Sequence, residues 1–179
     1  RRGRMTSTPT MTADFARPQS MSPADLDDVE RIEKAVYAFP WTRKNFADSI
    51  SSGYSAWVVR DAEVMLGYCV LMMVLDEGHL LNISVAKGAQ GKGVGRFLLD
   101  WTEKVAVSLG ARTVLLEVRP SNPVAQGFYE RHRYERIGVR RNYYPAPDGR
   151  EDAIVMRKTF MAGEHQVNGS ARQAGRGAL

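Results

Sequence analysis

The chain has 179 residues, of which 44% are hydrophobic, and this size and composition match one globular domain with a buried core. Its net charge of +5 comes mostly from the two ends, because residues 21–160 carry 19 Lys and Arg against 18 Asp and Glu. That near balance argues against direct binding of nucleic acid, and the lack of any run of 18 apolar residues argues against a membrane span.

The two ends differ in composition from the rest of the chain. Residues 1–20 are rich in Arg, Ser, Thr and Pro and contain one acidic residue, Asp14, which predicts a disordered leader and is also typical of a transit peptide. Residues 161–179 are rich in Gly, Ala, Gln and Ser, which predicts a disordered tail. We therefore expect the folded domain to span residues 21–160.

The first half of the domain predicts two helices followed by an antiparallel meander. Ser22 and Pro23 are typical of a helix start, and this helix is expected to end before a break at 38–41. Residues 42–50 predict a second, short helix. Apolar and β-branched runs predict three strands, with a polar hairpin turn at 76–79 between the last two. These strands are expected at 56–60, 66–75 and 80–86.

A strand, helix and strand unit follows. Apolar residues recur every three or four positions from Val94 to Leu109, which indicates an amphipathic helix. The next apolar run, 113–118, predicts a strand. Because a helix connects it to the strand at 80–86, the two strands are expected to be parallel neighbours.

The last part of the domain predicts a helix and a hairpin. Pro123 fits the first turn of a helix that runs to about His132. Strands at 134–142 and 153–159 flank a turn at 145–149. The expected fold class is therefore α/β, with a mixed, mostly antiparallel sheet around a central parallel strand, helix and strand unit.

The segment Gln90–Arg96 contains three glycines and two cations directly before the central helix. Main-chain N–H groups of a glycine-rich turn and the positive end of a helix dipole both attract phosphate, so this segment predicts an anion site. A dinucleotide-binding motif fails at its third glycine, although Glu117 lies 22 residues beyond Gly95, near the spacing of its ribose-binding acid. The chain contains no Walker motif.

Three residues near the last helix are candidates for chemistry. Glu117 interrupts an apolar strand, where a carboxylate is unfavourable unless it is solvated, paired or neutralised. It is therefore either a strand-end residue that pairs with Arg119 or reaches water, or a general base. Tyr129 is either a packed core residue or a phenol that faces a ligand, and Asn122 is a helix cap or a ligand contact.

The cysteine and histidine residues show no pattern of a metal or redox site. Cys69 is the single cysteine and lies in an apolar run, which predicts a buried structural thiol. His79, His132 and His165 lack the spacing of metal ligands, so we expect no metal. The absence of an apolar signal-peptide core predicts a cytoplasmic location.

The glycine segment also carries a resemblance to a known family. Gln90-Gly91-Lys92-Gly93-Val94-Gly95 matches the Q/R-x-x-G-x-G/A signature of the GCN5-related N-acetyltransferases (GNAT), which the domain also resembles in its order of strands and helices. The resemblance implies the acyl-CoA N-acyltransferase fold, with acetyl-CoA as co-substrate. In this family the loop binds the pyrophosphate, and the preceding strand pairs with the pantetheine arm as an added β-strand would. The implied acetyl-CoA contacts are Ile83, Ser84, Val85, Gln90, Gly91, Lys92, Gly93, Val94, Gly95, Arg96 and Asn122.

The same resemblance implies catalytic roles. Glu117 acts as general base, directly or through water, and Tyr129 acts as general acid toward the departing CoA thiolate. A main-chain N–H group near Val85 polarises the thioester carbonyl. Two positions depart from the family pattern: Gly91 stands where the family more often has Arg, and Phe128 stands where a small or aliphatic residue is more common.

Several segments resemble one bacterial branch of the family, the ribosomal-protein-alanine N-acetyltransferases, most selectively Arg141–Pro145 and Asp148–Ile154. The implied partner is the N-terminal peptide of small-subunit ribosomal protein eighteen, acetylated on its alanine α-amine. Acetylation of lysines or of a small amine, and acyl-CoA binding without turnover, are the alternatives. We expect no nucleic-acid or membrane partner, and a monomer or weak oligomer. Four acids are candidates for attracting a basic peptide: Asp25, Asp28, Asp76 and Glu77.

Overall fold

The structure is a computed structural model that describes residues 15–161. Within that range it contains four α-helices: α1 (Leu26–Val36), α2 (Arg43–Ser51), α3 (Val94–Ser108) and α4 (Pro123–Arg131). The strands of the same range are β1 (Gln19–Ser20), β2 (Ser55–Asp61), β3 (Val64–Val74), β4 (Glu77–Val85), β5 (Thr113–Val118), β6 (Glu135–Ala146) and β7 (Gly149–Thr159). Short 3-10 turns precede α1 at Pro23–Asp25 and α3 at Lys87–Ala89.

The strands of residues 15–161 belong to one mixed sheet, which is mostly antiparallel and contains a parallel pair. This arrangement confirms the α/β fold class expected from the sequence. Among the described residues, no helix combines the length and the apolar composition that crossing a membrane requires.

The folded part begins earlier than the sequence indicated. Gln19 and Ser20 form β1 and pair antiparallel with Val58 and Trp57 of β2, so the expected domain start at residue 21 is wrong. Two polar residues carry no apolar periodicity, and composition alone therefore assigned them to the leader. The rest of the expected leader up to residue 14, and the expected tail from residue 162, lie outside the described residues.

The described chain forms two compact units. The first comprises the residues up to Met72 together with Leu80–Val105, and the second comprises Met73–His79 together with the residues from Ala106 on. In the first unit, one apolar core joins α1, α2, β2 and β3, and each fully buried aliphatic or aromatic side chain contributes about 1.5–3 kcal/mol. Its best buried members are Val29, Ile32, Phe46, Val58, Met65, Tyr68 and Val70.

Local hydrogen bonds explain where the first two helices begin. The Asp25 carboxylate accepts from the main-chain N–H of Ser22 at 2.8 Å and from its hydroxyl at 2.9 Å. At α2, the Thr42 hydroxyl accepts from the Asn45 N–H at 3.2 Å, and the Asn45 side chain accepts from the Thr42 N–H at 2.8 Å. Such reciprocal capping satisfies N–H groups that lack a partner inside the helix.

One carboxylate lies inside the core of the first unit. Glu33 of α1 is 2% exposed. Its Oε1 accepts from the Trp41 main-chain N–H at 3.0 Å and from Asn82 Nδ2 at 3.2 Å, and its Oε2 accepts from the Tyr68 hydroxyl. Burial raises the pKa of Glu33 above its ordinary value, against the opposing effect of these hydrogen bonds. The carboxyl group thus connects α1, the segment before α2, β3 and β4.

The connection between β3 and β4 is tighter than the sequence predicted. β4 begins at Glu77, and the turn is Leu75-Asp76, so the expected turn at 76–79 is wrong. Leu75 takes a φ of +54°, a conformation that two-residue hairpin turns require and that glycine or asparagine normally supplies. A leucine at this position gives no turn signal, which explains the error.

The second unit contains the antiparallel ladder β5, β7 and β6, in that spatial order. β6 and β7 continue to a turn at 147–148, beyond the ends that the sequence indicated. A register shift between Arg140 and Tyr144, where Asn142 has a φ of +50°, is a bulge after which pairing resumes at Tyr144 and Glu151. The sequence pattern breaks at this bulge, so the predicted strand ended there.

The network around Glu33 predicts the effect of two substitutions. Glu33→Ala should lower the free energy of unfolding by about 3–5 kcal/mol, because it leaves buried donors of Tyr68 and Asn82 without their acceptor. Glu33→Gln preserves the volume and one acceptor oxygen, so it should be less destabilising. Urea unfolding of the three proteins measures both values.

The pH dependence provides a second readout of the same network. Because the pKa of Glu33 is raised in the folded state, its protonated form adds stability below the unfolded-state pKa of about 4.3, and this contribution is lost as pH rises through the folded-state value. The unfolding free energy of the wild type relative to Glu33→Gln should therefore fall with rising pH above about 4.3. Parallel pH curves for the two proteins would contradict the assignment.

Candidate active site

The predicted anion loop is a main-chain turn that leads into α3. Gly91 and Gly93 have φ angles of +74° and +88°, in the left-handed region that only glycine adopts at little cost. Val94, the first residue of α3, is 1% exposed and anchors the start of the helix in the core. The first main-chain N–H groups of a helix lack partners inside it and attract anions. Main-chain donors are therefore the principal feature of this loop.

Lys92 and Arg96 add positive charge to the loop. Both side chains are exposed, and Arg96 approaches Asp100 only to 3.8 Å. Such a long, exposed contact contributes little stability, so it does not fix the guanidinium in place. Gln90 is instead used within the protein, because its Nε2 donates to the Val85 carbonyl at 3.2 Å and connects the loop to the end of β4.

The strand that precedes this loop is fixed by its neighbours in the first unit. The Tyr37 hydroxyl donates to the Ile83 carbonyl at 3.1 Å and lies 2.9 Å from Ser84 Oγ. Gly67 of β3 lies so close that a Cβ there would approach the Ser84 carbonyl oxygen to 2.6 Å. The close approach of β3 thus requires a glycine, and the main chain of Ile83 and Ser84 has a defined position.

In the second unit, Glu117 lies on the less buried face of β5. Val114, Leu116 and Val118 of this strand are buried, whereas the Glu117 side chain is 23% exposed. Its Oε1 lies 2.9 Å from Nε of Arg140 on β6. This partner of Glu117 comes from β6, a strand that the sequence analysis did not consider as the source of a partner.

Arg119 belongs to a second charged cluster on the same ladder. Its guanidinium lies 2.7 Å from the Glu151 carboxylate, donates to the Pro145 carbonyl at 2.7 Å and covers the Tyr144 ring at 4.3 Å. The Glu151 carboxylate also accepts from the Ser121 hydroxyl at 2.9 Å. Sequence reasoning missed both ion pairs, since the register of β5, β7 and β6 decides which charges meet.

Tyr129 and Asn122 both have structural contacts. Tyr129 of α4 is 8% exposed, and its ring packs edge-on against Tyr134 at 5.8 Å and Phe128 at 5.3 Å. The Asn122 side chain caps α4 by accepting from the Ala125 N–H at 3.0 Å. These contacts account for both residue types at these positions, so their roles toward a ligand stay predictions.

Cys69 is buried in β3. Burial raises the pKa of its thiol to about 11, so the thiolate that a nucleophile needs is scarce near neutral pH. This supports the prediction of a structural thiol. Within residues 15–161, no group of three or more His, Cys, Asp or Glu side chains is arranged to bind a metal ion.

The acidic residues proposed to attract a basic peptide are paired. Asp25 and Asp28 lie 2.9 and 3.0 Å from the Arg60 guanidinium. Asp76 has a longer contact with Arg112 at 3.7 Å. Because Arg60 neutralises much of the charge at the start of α1, the prediction that these two acids attract the peptide loses its basis.

The fold, the glycine loop and the order of elements agree with one family of enzymes. Residues 26–134 match the model of the acetyltransferase (GNAT) family, which is more than half of the chain. The chain belongs to the GNAT acetyltransferase family. This confirms the family expected from the glycine segment and, with it, the GNAT fold.

Relatives within the GNAT family are similar over nearly their whole length. Ribosomal protein bS18-alanine N-acetyltransferase of Escherichia coli K12 is 39% identical over 137 residues, which cover 76% of this chain and 93% of that protein. The enzyme of the same name from Salmonella typhimurium is 37% identical over 136 residues, which cover 76% and 92%. The predicted resemblance to this branch of the family is therefore confirmed.

Solved structures agree with this result. The crystal structure of ribosomal-protein-S18-alanine N-acetyltransferase from Escherichia coli has a TM-score of 0.75 at 38% identity and covers 83% of this chain and 97% of that one. Arabidopsis thaliana NAA60 in complex with acetyl-CoA has a TM-score of 0.73 at 16% identity over 80% and 97% of the two chains, which shows the GNAT fold alone.

The loop geometry predicts how two substitutions at Gly91 differ. Gly91→Ala forces a side chain into the left-handed region, which should cost about 1 kcal/mol of stability although a Cβ would meet no atom within 4 Å. Gly91→Arg carries the same strain and adds a cation. If the loop binds the pyrophosphate of acetyl-CoA, the Arg variant should bind acetyl-CoA about threefold or more tightly than the Ala variant. Calorimetric titration measures this ratio, and equal affinities would exclude an anion contact at this position.

Proposed function

We propose that the protein transfers the acetyl group of acetyl-CoA to the N-terminal alanine α-amine of ribosomal protein bS18. The observation that carries the proposal is the similarity, over 93% of its length, to an Escherichia coli enzyme named for this reaction. A similarity restricted to the glycine loop would be equally consistent with any acetyltransferase of this fold. The similarity to the Escherichia coli enzyme extends over 137 residues, far beyond the glycine loop.

The acyl donor is assigned to the loop between β4 and α3. Main-chain N–H groups around Gly91 and Gly93, the start of α3, Lys92 and Arg96 bind the pyrophosphate. The main chain of β4 at Ile83, Ser84 and Val85 pairs with the amide-containing pantetheine arm. Asn122 is a further proposed contact of acetyl-CoA. Acetyl-CoA supplies the thioester carbon that the amine attacks.

Glu117 is the proposed general base. The amine nitrogen of the peptide forms a bond to the thioester carbonyl carbon, the bond from that carbon to sulfur breaks, and the nitrogen gives its last excess proton to water. The lone pair that forms the new bond becomes available only after the α-ammonium has lost a first proton. The Glu117 carboxylate takes this proton directly or through water, which its 23% exposure permits. Tyr129 donates the phenolic proton to the departing CoA thiolate, and a main-chain N–H near Val85 stabilises the negative charge that develops on the carbonyl oxygen.

The chemistry of the amine favours a chain terminus over a lysine. An α-amine titrates near 7.7–8.0 and a lysine near 10.4, so deprotonating the terminus at neutral pH is easier by roughly 3–4 kcal/mol. One carboxylate base is therefore sufficient for the terminus. For lysine, the same base would act on a substrate that is almost entirely protonated.

A peptide assay tests the proposed reaction. The protein is incubated with acetyl-CoA and a peptide that begins Ala-Arg and contains one internal lysine, and mass spectrometry locates the acetyl group. We expect acetylation of the α-nitrogen. The control is the same peptide with a blocked α-amine, which should not be modified.

The other outcomes identify the alternative functions. Acetylation of the lysine in both peptides would replace the proposal with a lysine acetyltransferase. Binding of acetyl-CoA without transfer to any amine would indicate an acyl-CoA-binding module. Either result contradicts the proposed N-terminal acetylation.

Substitution of the base gives a further prediction. Glu117→Gln should lower kcat at pH 7 by about 10²–10⁴-fold, because the amide cannot accept the proton, and leave the affinity for acetyl-CoA unchanged. The loss should shrink above pH 8, where the α-amine is already deprotonated. Steady-state rates between pH 6.5 and 9 measure this profile.

Glu151→Gln is the matched control. Glu151 has a similar exposure, 21%, and also pairs with an arginine of this ladder, Arg119. It has no proposed part in the reaction, so its variant should keep the wild-type dependence of rate on pH. Full activity of Glu117→Gln at pH 7, or equal effects of the two variants, would remove Glu117 as the base.

A further inference from the structure

The Glu117 carboxylate forms an ion pair with an arginine of the same protein. The Arg140 Nε lies 2.9 Å from Glu117 Oε1, and the two side chains are 54% and 23% exposed. The two members of the pair therefore differ in burial: the carboxylate is mostly buried, whereas the guanidinium side chain is about half exposed to solvent. A cation that is half in water can leave such a contact and regain hydration.

The register of the ladder explains how Arg140 reaches across β7. Glu117 pairs with Val155 of β7, and Val155 also pairs with Gly138 of β6. Two residues beyond Gly138 on the same face, Arg140 pairs with Ala153. Because Ala153 has only a methyl group, the long arginine side chain can cross β7 above it and reach Glu117 diagonally.

Tyr143 lies beside both members of the pair. Burial, together with the neighbouring Glu117 carboxylate, raises the pKa of the Tyr143 phenol. Its ring faces the Arg140 guanidinium at 5.5 Å, a cation–π distance. The Tyr143 ring thus offers the Arg140 guanidinium a contact that remains available when the arginine leaves Glu117.

The reacting group of the proposed substrate is also a cation, like the Arg140 guanidinium. At pH 7 an α-amine with a pKa of about 7.7–8.0 is mostly an ammonium ion, which donates hydrogen bonds and carries one positive charge, as a guanidinium does. Two cations on one carboxylate repel each other. The ammonium and the Arg140 guanidinium therefore compete for Glu117.

Resting on the proposed function, we propose that Arg140 is a displaceable counter-ion of Glu117, which the α-ammonium of the substrate replaces before transfer. Arg140 is then a specificity-determining residue. Only a group that is cationic and donates hydrogen bonds can replace the Arg140 guanidinium. A neutral chain end therefore gains no binding free energy from Glu117. The residue acts on substrate entry and takes no part in the chemical step.

The test compares two ligands and three substitutions at one position. The ligands are a peptide that begins Ala-Arg and its des-amino analogue, in which hydrogen replaces the α-amine. Arg140→Gln and Arg140→Met remove the competing cation, and Arg140→Lys restores it. Dissociation constants in the presence of CoA and KM values for the amine peptide are measured, together with the melting temperature of each protein.

The expected result is selective. Arg140→Gln should lower the dissociation constant and KM of the amine peptide by about two- to fivefold, the range for one exposed ion pair, and should not change the dissociation constant of the des-amino peptide. Arg140→Lys should return both values toward those of the wild type. Arg140→Met should behave as Arg140→Gln, which keeps the test usable if one variant does not fold.

Arg141→Gln is the matched control. Arg141 follows Arg140 on β6 and pairs with Asp152 at 3.2 Å, with a side chain that is 84% exposed. Its loss removes one positive charge from the same strand without changing Glu117. The KM for the amine peptide should therefore equal that of the wild type, and an equal decrease would mean that general charge and not displacement is responsible.

Two results would overturn the inference. A decrease in kcat with unchanged binding would mean that Arg140 orients Glu117 throughout the reaction. Weaker binding of both peptides would mean that Arg140 binds the peptide itself. If the wild type acetylates no α-amine, the proposed function fails, but the comparison of amine and des-amino binding still decides whether an ammonium displaces Arg140.

Discussion

Along β5, side chains alternate between a buried face with Val114, Leu116 and Val118 and a half-exposed face that carries Glu117. This period of two places a carboxylate on an otherwise apolar strand without burying it completely. The apolar residues fix the strand in the core, and their fixed register determines which charges Glu117 meets. The positions of Arg140 and Glu151 follow from this constraint, because the register of β7 and β6 places both residues on the face that carries Glu117.

In the first unit, the carboxyl group of Glu33 is almost completely buried. Three hydrogen bonds of about 1 kcal/mol net each do not compensate the burial of a full charge, and the raised pKa of Glu33 is consistent with that balance. An apolar residue of similar volume would avoid the cost of burying the charge but would leave the donors of Trp41, Tyr68 and Asn82 without an acceptor. The carboxyl group also fixes the positions of Trp41, Tyr68 and Asn82 relative to one another. Asn82 directly precedes Ile83 on β4. The strand assigned to the acyl donor is thus oriented by a polar group and not only by packing.

The sequence was sufficient to predict the elements that a local residue pattern determines. Helical periodicity gave α1 and α3, the glycine segment gave the loop and the family, and the apolar run gave β5 with its unusual Glu117. Sequence reasoning missed the ion pairs of Glu117 and Arg119, which depend on pairing across strands. It also missed the turn at Leu75, whose positive φ is not typical of a leucine. The acids at the start of α1 show the same limit, since Arg60 lies more than thirty residues away in the chain but pairs with both.

The loop before α3 is the proposed pyrophosphate site, and its donors are of two kinds. Positive charge near the turn comes from Lys92 and Arg96, both exposed. Contacts from exposed cations are screened by salt, whereas main-chain N–H groups are oriented by the fold and are weakened less. The left-handed φ angles of Gly91 and Gly93 hold the main chain in the turn that leads into the helix. A chain with this loop therefore relies on directional main-chain donors more than on side-chain charge, and a side chain added at Gly91 must gain more from its charge than it loses in backbone strain.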